Sequence, residues 1–220
     1  KQPTNLSKAK AYLKRFEAFE EELIYLDSAW YYLEESANNF TSYIQYFYLK
    51  GENKELINFV ISNKIDEVKY TNSDLALAYS RMGEVFGLNN LPNEAEKYHK
   101  KAVELMFFII DYKIKYGSFL FNNNQINEAE NQYLDALSLN PTVKEIHANL
   151  GLIAILKGNY KKAESSLKQA IALDPDYVLA YENLVFLSQK TNNFSDTKLY
   201  LIKILEIAPH HKAKQILEDL

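Results

Sequence analysis

Cysteine is absent from this chain of 220 residues, and glycine and proline are scarce, at 6 and 5 residues. Without cysteine there are no disulfides, no thiolate zinc sites and no cysteine nucleophiles. The absence fits a reducing cytosol and leaves a periplasmic location open. The longest apolar run, residues 105–110, is far shorter than the ~18–20 residues that cross a bilayer. We therefore expect a soluble segment, cytoplasmic rather than periplasmic, with long helices that few breakers interrupt.

An excess of positive charge is also lacking, because the net charge is −4. No basic footprint for nucleic acid or for anionic lipid is therefore expected. The chain begins with Lys1, not methionine, so we expect it to be trimmed, processed or cut from a larger protein. A signal peptide, a membrane anchor or a partner domain would then precede it.

Several residue types recur with a period of 34. The prolines Pro141, Pro175 and Pro209 are each separated by this interval. Small residues keep the same interval in three further series: Gly83, Gly117 and Gly151; Ala95, Ala129 and Ala163; Ala102, Ala136 and Ala170. A fixed period in independent residue types indicates a repeat architecture, in which each unit buries its apolar face against its neighbours.

This pattern resembles the tetratricopeptide repeat (TPR), which has two helices, A and B, in each unit of this length. The resemblance implies an all-α fold, a right-handed solenoid of antiparallel helix pairs. We expect four repeats, at 76–109, 110–143, 144–177 and 178–211, and a capping helix at 212–220.

The repeated residues have physical roles within each helix pair. Gly151 and its equivalents are expected to let helix A approach helix B without an intervening Cβ atom, with Leu167 filling the space between them. Gly158 is expected to end helix A with a positive φ, which costs little only for glycine or asparagine. Asn124 and Asn192 occupy the same place in the neighbouring repeats.

The first repeat departs from the pattern at its end, where Phe107 stands in place of the proline. Two outcomes remain open. In the first, helix B of this repeat continues toward the next helix, because no breaker stops it. Alternatively, an ordinary turn buries the apolar residues 105–110 as a corner.

The segment 1–75 follows the repeat poorly. Residues 37–75 fit a degenerate repeat with a longer loop, whereas residues 1–36 indicate a long helix with apolar residues in a heptad pattern. This helix either packs in cis as an N-terminal cap or forms an oligomer interface. The interface would use one stripe: Phe16, Phe19, Leu23, Leu26 and Trp30.

No common catalytic motif is present, neither a phosphate-binding loop, nor a nucleophile elbow, nor a His-Glu-x-x-His zinc site. His99 and His147 lie at positions where core aromatic residues belong, so we interpret them as packing residues. We therefore expect no enzyme activity, no metal site and no cofactor.

The resemblance also implies where a partner binds, since A helices line the concave groove of a TPR solenoid. At the sixth position of the four repeats stand Arg81, Lys115, Asn149 and Asn183. The two asparagines resemble part of the asparagine ladder that holds an extended peptide by its backbone, because a carboxamide both donates and accepts hydrogen bonds. Alternatively, Asn149 and Asn183 are simply solvated side chains on a helix surface.

Cations and apolar residues complete the expected groove. Arg81 and Lys115 suit a carboxylate or an acidic segment. An apolar part, which suits a helix or a hydrophobic peptide, is formed by Leu152, Ile155, Leu156 and Phe186. The resulting hypothesis is a non-catalytic scaffold or adaptor that binds a peptide or a helix. The alternative is an oligomerisation or regulatory module of a larger, possibly membrane-anchored protein, assembled through the N-terminal helix.

Overall fold

The computed structural model describes residues 4–18, 40–63, 65, 67–209 and 212–219. Within these ranges the regular structure is α-helical, apart from a 3-10 turn at Glu67–Lys69. The described helices include none with both the length and the apolar character to cross a membrane. The chain forms two compact units, Lys1–Asn123 and Asn124–Leu220. The predicted all-α class is confirmed.

The first unit contains six described helices: α1 (Asn5–Ala18), α2 (Phe40–Lys50), α3 (Asn53–Ser62), α4 (Asn72–Leu88), α5 (Pro92–Leu105) and α6 (Ile110–Asn122). Consecutive helices pair, α2 with α3 and α4 with α5, and α4 also contacts α6. Of the long helix predicted at 1–36, α1 accounts for residues 5–18. Residues 19–36, with Phe19, Leu23, Leu26 and Trp30, lie outside the described residues.

The described part of the N-terminal helix packs in cis. Ala9 and Leu13 of α1 are fully buried in a cluster with Tyr46 of α2. Leu13 lies outside the heptad stripe that the sequence indicated, and it packs against α2. Phe16 belongs to α1, and only its backbone is described.

The second unit also contains six described helices: α7 (Ile126–Leu139), α8 (Lys144–Leu156), α9 (Tyr160–Leu173), α10 (Val178–Lys190), α11 (Phe194–Ile207) and α12 (Ala213–Glu218). The helices α8 and α9 form one antiparallel pair, α10 and α11 form another, and α12 packs on α11. Ala213 of α12 is fully buried in the same apolar cluster as Leu184 and Leu201, as a capping helix requires.

The turns at the three predicted positions have the predicted backbone conformation. Gly158, Asn124 and Asn192 have φ values of +75°, +61° and +55°. The prediction is confirmed, and it extends to the first repeat, where Asn90 has φ +58°. Asparagine tolerates this left-handed region better than other side chains do, so it can replace glycine here.

The close approach of paired helices at glycine is also confirmed. A Cβ atom on Gly151 would lie 2.7 Å from Leu167, and one on Gly83 would lie 2.8 Å from the His99 ring. His99 and Leu167 are two repeats apart in the sequence, so they occupy equivalent places. His99 therefore serves as the buried filler of its helix pair.

Neither outcome expected for the segment around Phe107 is found. α5 ends at Leu105, and the Ile109 amide donates to the Met106 carbonyl (3.0 Å), so the helix does not continue. A turn does form, but its corner is not buried, since Phe107 is 65% exposed and Phe108 52%. The neighbours on both sides take the half-buried positions and leave the two phenylalanines facing outward; these neighbours are Leu105, Met106, Ile109 and Ile110.

Candidate functional site

The candidate surface of the second unit lies on α8 and α10, two predicted A helices that contact each other. Asn149 and Leu152 on α8 are half-buried, as is Phe186 on α10. Within the described part of the chain, no side-chain hydrogen bond engages the Asn149 carboxamide. That group is therefore available to pair with a peptide backbone, which a carboxamide can match as both donor and acceptor.

Asn183 is in a different environment from Asn149. It is only 6% exposed, and its side-chain amide donates to the Ala148 carbonyl of α8 at 3.4 Å. It is therefore not merely solvated, because it links α10 to α8. The two equivalent asparagines thus differ, one being engaged within the fold and the other open.

The apolar residues of α8 that were predicted for this surface do not all lie on it. Ile155 is buried in the core of the second unit, so its expected place in the groove is wrong. Its neighbour Leu156, by contrast, is 52% exposed. Leu152 and Leu156, one turn apart, remain as the apolar side chains of α8 at this surface.

Phe186 borders an apolar cavity of about 190 Å³ between α10, α11 and α12. Val185, Leu201 and Ile216 line the same cavity. The Lys190 ammonium lies 5.3 Å from the Phe186 ring centroid, and the ion pair of Lys212 with Glu182 (3.0 Å) stands at the rim. Phe186 therefore contributes to the capped end of this unit.

The candidate cations of the first unit form a network. Arg81 is 6% exposed, and its guanidinium lies 5.0 Å from the centre of the Tyr48 ring. Lys115 pairs with Glu84 (2.7 Å) and Asp111 (3.5 Å). The Tyr48 hydroxyl donates to Glu84 at 2.8 Å, and its pKa is raised, by burial first and by this carboxylate second.

The network changes what the two cations can do. Burial alone would lower the pKa of Lys115, but Glu84 and Asp111 outweigh it and raise that pKa, so the ammonium stays charged. The charge of Lys115 is largely offset by these two carboxylates. Sequence reasoning did not assign Glu84 or Tyr48 to this site. The position of Glu84, three residues after Arg81 on the same helix face, was the available signal.

The two histidines of the helix pairs have packing roles, as predicted. His99 is 3% exposed and stacks on Tyr116, with centroids 6.0 Å apart, and burial lowers its pKa to about 4. A ring nitrogen of His147 lies 2.7 Å from the Pro141 carbonyl oxygen. One repeat later, the Tyr181 hydroxyl donates to the Pro175 carbonyl at 3.0 Å. His147 thus performs the hydrogen bonding of a tyrosine.

Consecutive antiparallel helix pairs, small residues at their contacts and left-handed turns between them define a helical-repeat protein. Family profiles for the tetratricopeptide repeat match residues 110–143 and 144–177. The chain therefore contains tetratricopeptide repeats at these residues. Members of this repeat family are typically non-enzymatic scaffolds for protein interactions.

Several solved structures share the fold at low sequence identity. PilW, described as a widely conserved type IV pilus biogenesis factor, is 18% identical, with 80% of each chain covered and a TM-score of 0.67. YrrB, described as a TPR protein with an unusual peptide-binding site, is 19% identical; 96% of this chain and 100% of YrrB are covered, with a TM-score of 0.63. MamA is 19% identical over 80% of this chain and 97% of its own, with a TM-score of 0.62. No curated protein matches the sequence.

Proposed function

We propose that this protein is a non-catalytic interaction scaffold that binds a peptide on the exposed faces of α8 and α10. The observation that carries the proposal is the open carboxamide of Asn149, which no side-chain hydrogen bond of the described residues engages. Leu152 and the exposed Leu156 place apolar surface on the same helix. The structural neighbour YrrB, described as having an unusual peptide-binding site, supports peptide binding by this fold.

The division of work on this surface follows from the chemistry of its side chains. A carboxamide that contacts a peptide group holds the backbone without reading the side chain, so Asn149 would supply register and orientation. Leu152 and Leu156 would bury an apolar side chain of the peptide, which supplies most of the affinity. Asn183 would act indirectly, by holding α10 against α8.

The test begins with peptides selected on the immobilised protein from a random displayed library. Calorimetry then compares the best peptide on the wild type, on Asn149→Ala and on Asn131→Ala. Asn131 is an exposed asparagine of α7, so it serves as a control with the same chemical change. Loss of one hydrogen bond to the peptide should weaken binding about fivefold to tenfold for Asn149→Ala only, with unchanged helicity. Equal affinities for all three proteins would refute the assignment.

The alternative, assembly through the N-terminal helix, is less favoured by the described residues. Ala9 and Leu13 of α1 are buried against α2 within the same chain, so they are not available to a second copy. The proposed stripe of Phe16, Phe19, Leu23, Leu26 and Trp30 remains a hypothesis, which sedimentation tests below.

A further inference from the structure

A cavity of about 180 Å³ lies among α9, α10 and α11 of the second unit. Two aromatic rings line it, Tyr160 of α9 and Tyr200 of α11. Two carboxylates line it as well, Glu164 of α9 and Asp196 of α11. Lys161 also borders the cavity, but its side chain is exposed to solvent. Aromatic faces beside carboxylates form an environment that attracts a cation.

The polar groups of this cavity have hydrogen-bonding capacity that the fold does not use. Among the residues that the structure describes, neither tyrosine hydroxyl makes a hydrogen bond, and Asp196 accepts one from the Asn193 side-chain amide through Oδ2 alone (2.7 Å). Glu164 pairs with Lys168 at 2.6 Å, but both side chains are half exposed or more. An ion pair so exposed is weak and exchanges readily with another cation.

The equivalent place one repeat earlier is filled by two ammonium groups of the chain itself. There Glu130, which corresponds to the glutamate of the cavity, accepts hydrogen bonds from Lys157 and from Lys162. The residues 34 positions after these two lysines are Thr191 and Asp196, and both line the cavity. The fold therefore places positive charge between the helices of one repeat and omits it from the next, where a carboxylate replaces one lysine.

We propose that this cavity binds the arginine side chain of a protein partner. A guanidinium is planar and less strongly hydrated than an ammonium, so it stacks on tyrosine rings while its N–H groups pair with carboxylates. The pKa of the Tyr200 hydroxyl is raised, by burial first and by Asp196 second, so the ring stays neutral beside that carboxylate. None of the residues assigned to the peptide surface lines the cavity, so this contact is additional to the proposed function.

The experiment is an NMR titration of the whole chain at low salt with three small compounds: acetyl-arginine amide, acetyl-lysine amide and acetyl-citrulline amide. Acetyl-arginine amide should shift the amide signals of residues 160–164, 187–191 and 196–200, with a dissociation constant on the order of 1 mM. Citrulline has the shape of arginine without its charge, so its derivative should not bind. The lysine derivative should bind about threefold more weakly. Equal binding of the arginine derivative and either other compound would overturn the choice of a guanidinium.

Matched variants locate the site. Asp196→Asn should weaken binding of acetyl-arginine amide about tenfold, whereas Asp176→Asn, the same change at an exposed residue outside the cavity, should leave it within about twofold. Tyr200→Leu should weaken binding about threefold and Tyr200→Phe should retain it, because the ring attracts the cation. Lys161→Gln should strengthen binding, because it removes a competing positive charge. Equal effects of the two aspartate substitutions would contradict the site.

The double variant Thr191→Lys with Asp196→Lys restores the two lysines of the preceding repeat. Their ammonium groups should occupy the cavity beside Glu164, so acetyl-arginine amide should no longer bind. Circular dichroism checks that this variant remains folded. If the folded variant binds acetyl-arginine amide as the wild type does, the arginine site is wrong. Asn149→Ala should leave this binding unchanged, so failure here is separate from failure of the peptide surface.

Discussion

Gly151 lies where α8 approaches α9, and an added Cβ atom there would stand 2.7 Å from Leu167 and 3.4 Å from the Ala163 carbonyl oxygen. Alanine is intrinsically the better helix former by about 1 kcal/mol, but overpacking in a core costs about 1–3 kcal/mol. We expect Gly151→Ala to lower the free energy of unfolding by about 1–2 kcal/mol, measured by urea denaturation.

The control for this prediction is Gly87→Ala on α4. A Cβ atom there would meet the Phe119 ring at 3.4 Å and the Ala95 Cβ at 3.7 Å, which is ordinary contact. With no overlap to relieve, the helix preference for alanine should leave stability unchanged or raise it. Equal destabilisation by both substitutions would contradict the packing explanation.

His99 makes stability depend on pH. Its pKa in the folded protein is lowered to about 4 by burial, against about 6.5 in an unfolded chain. Below pH 6.5 the unfolded state therefore binds more protons than the folded state does. The contribution of His99 to the free energy of unfolding is complete above that pH and is lost as the pH falls toward 4. The loss is roughly 3 kcal/mol. Among its charged neighbours, Glu84 raises the pKa of His99 and Lys115 lowers it.

The measurement compares unfolding free energies of the wild type and His99→Leu at pH 7 and pH 4.5. Leucine suits this place because Leu167 fills the equivalent one against Gly151. The variant should lose most of the pH dependence attributed to His99. The same slope in both proteins would mean that other groups cause it.

These residue-scale features differ in how far the sequence predicts them. The left-handed turns at Gly158, Asn124 and Asn192 follow from local chemistry, so the repeat position and the residue type are enough to predict them. The burial of Asn183 does not, because it depends on the distance from α10 to the Ala148 carbonyl. The pairing of Lys115 with Glu84 likewise depends on the approach of α6 to α4.

The connection between α3 and α4 is held by one acidic side chain. Glu67, in the 3-10 turn, accepts hydrogen bonds from the Tyr79 hydroxyl of α4 and from the Lys101 ammonium of α5 (2.7 Å). Lys101 first, and then Tyr79, lower the pKa of Glu67. The stabilisation is therefore present above the ordinary pKa of a glutamate and is lost as the pH falls below it.

We expect Glu67→Gln to loosen this connection more than it lowers global stability. The Glu67 side chain is about half exposed, and ion pairs of this kind contribute little, about 0–1 kcal/mol. Hydrogen exchange followed by mass spectrometry should show faster exchange at residues 67–72, with α5 unchanged. Glu104→Gln, at an exposed residue of α5, provides the control. If exchange at 67–72 is unaffected, Glu67 does not hold the turn.

At the scale of helices, prediction succeeded where a repeat constrains the sequence. The repeat period places glycine, alanine and proline at the contacts and ends of α8 and α9, because each pair must repeat the same packing. It failed at residues 106–109, where no repeated residue specifies the turn and apolar character alone suggested burial. The heptad pattern of α1 did not identify Leu13, which is buried beside Tyr46 of α2.

At the scale of the whole molecule, the open question is whether one chain is the functional species. The apolar side chains Ala9 and Leu13 are buried in cis against Tyr46. A helix that uses its apolar face within the chain has less to offer a second copy. We therefore expect sedimentation equilibrium to give a single species of 25.5 kDa, independent of concentration from the low micromolar range upward.

Two substitutions on the N-terminal segment sharpen this prediction. Leu13→Glu should lower the free energy of unfolding, because it forces a charge into the contact between α1 and α2, at a cost of several kcal/mol.

Leu23→Glu, on the proposed oligomer stripe, should leave the mass at 25.5 kDa if the protein is monomeric. A wild-type mass that rises toward twice this value, and that Leu23→Glu returns to one chain, would instead establish assembly through the stripe. The peptide-binding surface on α8 and α10 would then be presented in two copies, and avidity would raise its apparent affinity for a repeated ligand.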